Sequence, residues 1–211
     1  MKRFSRRAML RTAALAATLL ASFGAAPAMA AATVGQAAPA FTAVDSKGKQ
    51  HKLADFKGKV VVLEWTNHEC PYVKKHYNAS NMQKLQQQAK GAGVVWLSVI
   101  SSAPGEQGHV AGARADELTA SRQAVPTAVL LDPQGVIGKA YDARTTPHMY
   151  VIDAGGVLRY AGGIDSIGST RADDIGKADP LFKTAMESVL KGENVKQAVT
   201  RPYGCSVKYA S

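Results

Sequence analysis

Val60-Val61-Val62-Leu63-Glu64-Trp65-Thr66-Asn67-His68-Glu69-Cys70-Pro71 is the stretch on which the fold turns. Its first half is almost continuously apolar and rich in β-branched residues. That is the pattern of a strand covered on both faces in the middle of a sheet. Its second half is polar and ends in Cys-Pro. Proline is favoured at the first position of a helix, where its missing N–H has no partner to lose. A buried strand, a short turn and a helix therefore follow one another, with Cys70 at the helix cap. Glu64 is the single charge inside the strand.

Working outward, Tyr72, Val73, His76, Tyr77, Met82, Leu85 and Ala89 recur at helical spacing and predict one helix to about Lys90, stopped by Gly91 and Gly93. Val94–Ile100 reads as a second buried strand, followed by a polar loop and a helix over about Val110–Gln123. Ala128–Leu131 is a third strand, closed by Asp132-Pro133-Gln134-Gly135. Tyr150–Asp153 and Val157–Ala161, joined by Ala154-Gly155-Gly156, read as a hairpin. A last helix spans about Pro180–Lys191. Before the decisive stretch, Phe41–Val44 and His51–Leu53 flank the turn Asp45-Ser46-Lys47-Gly48, a hairpin extension at the N-terminal side. The order predicts an α/β protein: a central mixed β-sheet flanked by helices, with parallel crossovers first and an antiparallel hairpin last.

Residues 1–30 read as a secretory signal peptide rather than as part of the fold. Lys2, Arg3, Arg6, Arg7 and Arg11 precede an uncharged Ala/Leu-rich run that ends in Pro27-Ala28-Met29-Ala30. Ser5-Arg6-Arg7-Ala8-Met9-Leu10-Arg11 also resembles a twin-arginine export signal. The apolar run is too short for a mature membrane span, so no stable membrane insertion is expected after its removal. The formal charge of +10 falls to +5 once those five positives are gone. There is no basic stripe with interleaved aromatics, so nucleic acid is not an expected partner. The rest divides into a domain over 33–200 and a tail over 201–211 that carries Cys205.

Cys70 and Cys205 are the only cysteines, too few for a disulfide scaffold. At a helix N-terminus the free N–H groups and the dipole favour a thiolate, the reactive form of cysteine. His68, Lys74 and Lys75 would add positive potential, and Glu69 would oppose it. Glu64, within an apolar strand close to the Cys70 turn, is a candidate buried carboxylate with a raised pKa, suited to moving protons. Cys70, His68 and His148 offer an alternative, a copper or zinc site. Asn78-Ala79-Ser80 matches a glycosylation acceptor but falls inside the predicted helix.

Three segments carry a resemblance. Gly35–Thr42 followed by Lys57–Trp65 resembles the opening of redoxin-domain proteins, the alkyl hydroperoxide reductase/thiol-specific antioxidant group of the thioredoxin-fold superfamily. Asn67–Lys75 resembles the active-site turn of a peroxiredoxin-like subgroup, and Thr145–Asp153 the stretch bearing the cis-proline of thioredoxin folds. The resemblance implies a thioredoxin-like fold, Cys70 as attacking thiol, a cis Pro147 beside it, and pairing of the Thr146 backbone with a bound substrate chain. It implies an antioxidant, peroxiredoxin-like oxidoreductase that needs no cofactor, takes a peroxide or a protein disulfide, and draws on an external thiol or thioredoxin-like reductant.

Two departures qualify it. There is no Cys-x-x-Cys, and the position three before Cys70 is Asn67 rather than the peroxiredoxin threonine, with Thr66 one residue further back. Cys205 supplies the second thiol that a sulfenic acid or mixed disulfide on Cys70 requires. It lies in a segment, Arg201-Pro202-Tyr203-Gly204, able to swing toward Cys70; a permanent Cys70–Cys205 disulfide is the other reading. The catalytic set is thus Cys70, Cys205, Thr146, Pro147, Thr66 and Glu64, with thiol–disulfide exchange as the alternative reaction.

Overall fold

The computed structural model describes residues 31–210; the signal segment expected over 1–30 lies outside them. The decisive run forms strand β3 (Val61–Trp65). It pairs in parallel with β4 (Val95–Ile100) and antiparallel with β7 (His148–Ile152). β4 pairs in parallel with β5 (Ala128–Leu131), and β7 antiparallel with β8 (Leu158–Gly162). The hairpin of β1 (Thr42–Asp45) and β2 (Gln50–Lys52) joins the far edge through β5. The sheet therefore runs β2-β1-β5-β4-β3-β7-β8, with the Cys70 strand covered on both sides, as its composition demands.

Side chains alternate along β3. Val61, Leu63 and Trp65 pack one face with Leu97, Val99, Tyr150 and Tyr141. Val62 packs the other with Trp96, Val151, Tyr160 and residues of three helices: α1 (Pro71–Asn78), α2 (Asn81–Gly91) and α5 (Leu181–Leu190). α3 (Gly112–Ser121) covers the β5 side through Ala115. Glu64 points to the helical face of Val62, opposite Ser98 and Met149 in register.

The structure corrects the helix expected over 70–90 and adds a short helix and a short strand pair. The single helix expected over 70–90 is two, broken at Ala79-Ser80, where Ser80 adopts a left-handed backbone (φ 56°). The Asn78-Ala79-Ser80 triplet thus straddles the end of α1, with Asn78 its last, exposed residue and Ala79-Ser80 in the break. A short helix, α4 (Val136–Ala140), follows Gly135, which caps it at φ 68°. The tail does not hang free. It runs back across the domain and forms a two-residue strand, β9 (Cys205–Ser206), antiparallel to β6 (Thr145–Thr146). Among the described residues no helix is long and apolar enough to cross a membrane.

Candidate active site

Trp65 ends β3, and the turn that follows is tied on itself. Asn67 Oδ1 accepts the Glu69 N–H (2.9 Å), and the Cys70 N–H reaches the Asn67 carbonyl (3.1 Å). Glu69 accepts the Gly108 N–H at 2.7 Å, and Gly108 stands so close to Asn67 that a Cβ there would overlap its amide. The turn delivers Cys70 to the N-cap of α1, with Pro71 at its first position. Asn67, standing where peroxiredoxins carry threonine, is a turn-builder here.

The Cys70 sulfur is fully buried. It donates to the Thr146 carbonyl at 3.1 Å, and the Thr146–Pro147 bond that follows is cis, as the resemblance implies. Thr146 pairs with Cys205 across the β6–β9 ladder, which brings the second thiol to the first. Both cysteines are free thiols. Burial pushes the Cys70 thiol up. The Cys205 thiol and the backbone N–H groups of Val73 and Cys205 face the sulfur and outweigh burial, so Cys70 sits below an ordinary cysteine. Burial and the neighbouring Cys70 push Cys205 up to about 11. The pair is polarised: Cys70 takes the negative charge and Cys205 keeps the proton.

Glu64 lies beneath this site with no exposure. Four donors converge on its carboxyl: Tyr77 Oη (2.8 Å), Trp96 Nε1 (2.8 Å), Ser98 Oγ (3.0 Å) and Gln86 Nε2 (3.2 Å). Burial nonetheless holds its pKa above the usual carboxylate range, with Tyr77, Trp96 and the Arg122 charge pulling back. The Arg122 guanidinium stacks 4.2 Å from the Tyr77 ring centre. Thr66 is buried, but its hydroxyl has no hydrogen-bond partner. It lines a narrow cavity with His68, Tyr77, Ser98 and Arg122. Neither Thr66 nor Glu64 hydrogen-bonds the Cys70 sulfur; they stand behind it.

The groups expected to assist Cys70 are arranged otherwise. The Lys75 side chain is wholly buried and turns to Asp165 (3.5 Å). His68 is half-buried, and burial holds it neutral-leaning, below the usual histidine range. His148 is buried against Tyr150, with ring centres 4.5 Å apart, and takes the Arg144 N–H on Nδ1. The alternative ligand set of Cys70, His68 and His148 is not assembled: among the described residues, no three His, Cys, Asp or Glu side chains form a group able to hold a metal. Arg144 is exposed and pairs with Asp142.

One cluster is assembled from residues far apart in the sequence. His76, fully buried on α1, has its Nδ1 facing the Asn81 amide (2.9 Å) and its Nε2 facing Tyr203 Oη (3.0 Å). With Asn81 donating to Nδ1, neutral His76 donates from Nε2, and Tyr203 in turn donates to Asp165 Oδ1 (2.5 Å). Lys75 Nζ also reaches Tyr203 Oη (3.4 Å). Tyr203 is two residues before Cys205, so the cluster anchors the tail.

Cys-Pro at a helix cap, a cis-proline strand beside it and a parallel β3-β4-β5 core are the parts of one redox architecture, and the sequence agrees. The profile of the AhpC/TSA family matches residues 34–161. The chain belongs to the AhpC/TSA family. Two thiol-disulfide oxidoreductases ResA are similar to it. That of Geobacillus kaustophilus is 28% identical over 61% of this chain and 68% of its own length. That of Geobacillus thermodenitrificans is 27% identical over 72% and 80%. A hypothetical protein of Sinorhizobium meliloti shares the fold with TM-score 0.70 at 22% identity, over 85% of this AhpC/TSA chain and 96% of its own.

Proposed function

We propose that the protein is a thiol–disulfide oxidoreductase in which Cys70 attacks and Cys205 resolves. The observation that carries this reading is the polarised pair: a buried, acid-shifted Cys70 thiol facing a Cys205 held near 11 across the β6–β9 ladder. The Cys70 thiolate attacks one sulfur of an external disulfide, forming a mixed disulfide and releasing one thiolate. Cys205, giving up its proton, then attacks the Cys70 sulfur. The Cys70–Cys205 disulfide forms, and the second thiolate leaves. The protein's dithiol is oxidised by two electrons and the external disulfide is reduced by the same two; an external thiol reductant resets the pair.

The named relatives favour this exchange over peroxide reduction. So does Arg144, which is solvent-exposed and engaged by Asp142 and thus is not committed to a peroxide at the Cys70 sulfur. Glu64 supplies the buried proton acceptor behind the site in this reading. Pro147 and the Thr146 carbonyl shape the face on which the attacked sulfur lies. Export to an oxidising compartment, through the basic and apolar residues 1–30, is part of the proposal.

The test is stoichiometry. The reduced mature chain is mixed with an aromatic disulfide, and released thiolate is counted against mapped cysteines. Two thiolates per chain from the native protein, one from Cys205→Ser and a mixed disulfide trapped on Cys70 are expected. A native chain that releases none, yet consumes hydrogen peroxide with a thiol reductant, overturns exchange in favour of peroxidase chemistry.

A further inference from the structure

The segment that brings Cys205 to Cys70 is held at several points. The Thr200 hydroxyl bonds Tyr160 Oη (2.7 Å) and the Gly163 N–H (3.0 Å). Val207 N–H reaches the Arg144 carbonyl (3.0 Å), and the Lys208 carbonyl takes the Ala103 N–H (2.8 Å). Tyr209 Oη donates to the Ala143 carbonyl (2.7 Å), its ring lying where a side chain on Gly135 or Gly138 would stand. Between these ends, Gly204 adopts φ 136°, and a Cβ there would strike the Thr146 carbonyl oxygen. Only glycine lets the chain pass flush against the cis-proline loop. Tyr203 then sinks its hydroxyl among Lys75, His76 and Asp165, the one neutral group joining all three.

This arrangement has the form of an enzyme bound to its own tail. β9 takes the backbone edge of Thr146 in antiparallel pairing, with a cysteine directly opposite. Strand addition at such an edge is how an extended peptide docks: main-chain bonds give affinity and side-chain pockets give specificity. The Cys70 sulfur meanwhile has no exposure, so no outside disulfide reaches it while the tail is seated. α1 and β7 are built into the core and cannot yield. The tail, joined there by a two-residue ladder, can.

We propose that residues 203–209 are an internal pseudo-substrate latched by Tyr203. They compete for the Thr146 edge with the true partner class, an extended polypeptide presenting a cysteine or disulfide. This inference rests on the exchange reading above and adds its gate. Exchange with an outside disulfide proceeds at the intrinsic rate of Cys70 multiplied by the fraction of molecules with the tail open. Tyr203 is a positioning residue, since it acts on the thiols only through the tail.

The experiment uses the reduced full chain carrying Cys205→Ser, so that only Cys70 can react, and an aromatic disulfide as probe. The second-order rate of thiolate release is compared with and without Tyr203→Phe. That change removes the hydroxyl and keeps the ring. Losing a hydrogen bond to charged partners opens the tail on the order of tenfold more often, and the rate should rise by that factor. Gly204→Ala, which expels the strand by a separate route, should do the same. Val95→Ala, a core truncation on the opposite face of the sheet, lowers stability without touching the tail and should leave the rate unchanged.

In variants retaining both cysteines, Tyr203→Phe should speed the approach to the Cys70–Cys205 disulfide equilibrium with glutathione and leave its constant unchanged, because the tail is already seated in the dithiol form. A tyrosine that set the redox pair itself, and not the seating of the tail, would move that constant and overturn the latch. Equal, measurable rates in all variants, fast or slow, overturn the latch and leave the exchange reading standing. A rate raised as much by Val95→Ala assigns the effect to general unfolding and also overturns it. A Cys70 inert in every variant overturns the exchange reading together with the latch.

Discussion

At Cys70 the sulfur sits between groups that disagree. Burial and the Thr146 carbonyl favour the neutral thiol, while the Cys205 S–H and the N–H groups of Val73 and Cys205 favour the thiolate. The second set wins because donors from two elements converge on one sulfur: the tail gives the Cys205 S–H and N–H, and the helix N-terminus gives the Val73 N–H, where dipole and hydrogen bond add. Two coupled thiols titrate as a pair, and Cys205 contributes the S–H that holds the Cys70 charge. In the reduced protein, thiolate absorbance should therefore rise in two steps, one below the ordinary cysteine range and one near 11. Replacing Cys205 by Ala should abolish the upper step and move the lower one upward. A Cys70 step unaffected by Cys205→Ala would show that the helix cap alone sets the charge. The position of Cys70 was legible in the sequence because strand-end, Cys and Pro are local signals. The cluster of Lys75, His76 and Asp165 was not: charged residues read as surface until their partners, distant in the chain, are known.

Among the elements, those with long apolar runs were readable and those made by tertiary pairing were not. β3 and β4 announced themselves by composition. β6 and β9 are two residues each, too short to carry any periodicity, and exist because each gives the other its hydrogen bonds. The break between α1 and α2 hid for another reason. Met82, Leu85 and Ala89 face the same core as Val73 and Tyr77, so the apolar spacing continues across a turn that is not helical. The break is paid for at Ser80, whose left-handed backbone at φ 56° carries a Cβ. A left-handed residue other than glycine costs about 1–2 kcal/mol, partly offset by the flexibility glycine adds to the unfolded chain. Ser80→Gly should accordingly raise stability by about 1 kcal/mol, read as a higher denaturant midpoint with an unchanged slope. Ser80 is exposed, and its side chain caps nothing. A lower midpoint would mean that the serine hydroxyl holds the break.

Across the whole molecule, the two histidines packed on opposite faces of the site give the fold a common weakness toward acid. Burial drives His76 and His148 each from 6.5 to about 4, against the pull of Asp165 on the first and Asp142 on the second. A histidine depressed in the fold stabilises above its unfolded pKa, and that stability drains as pH falls toward the folded value. The window therefore runs from 6.5 down to about 4. At about 1.4 kcal/mol per unit, each histidine is linked to roughly 3 kcal/mol, a large share of the 5–15 kcal/mol typical of a domain. Glu64 acts in the opposite sense. Its raised pKa favours the fold as pH drops, so it blunts the loss at the acid end. The histidines outnumber it, and a net fall is expected, visible as a denaturant midpoint that decreases from neutral pH toward the lower end of that window. His148→Asn keeps an acceptor for the Arg144 N–H and cannot charge. It should recover about half of the fall, while His76→Asn should recover its share and also loosen Tyr203. Parallel midpoint-against-pH curves for native protein and His148→Asn would place the acid sensitivity elsewhere, in the carboxylates of the surface pairs.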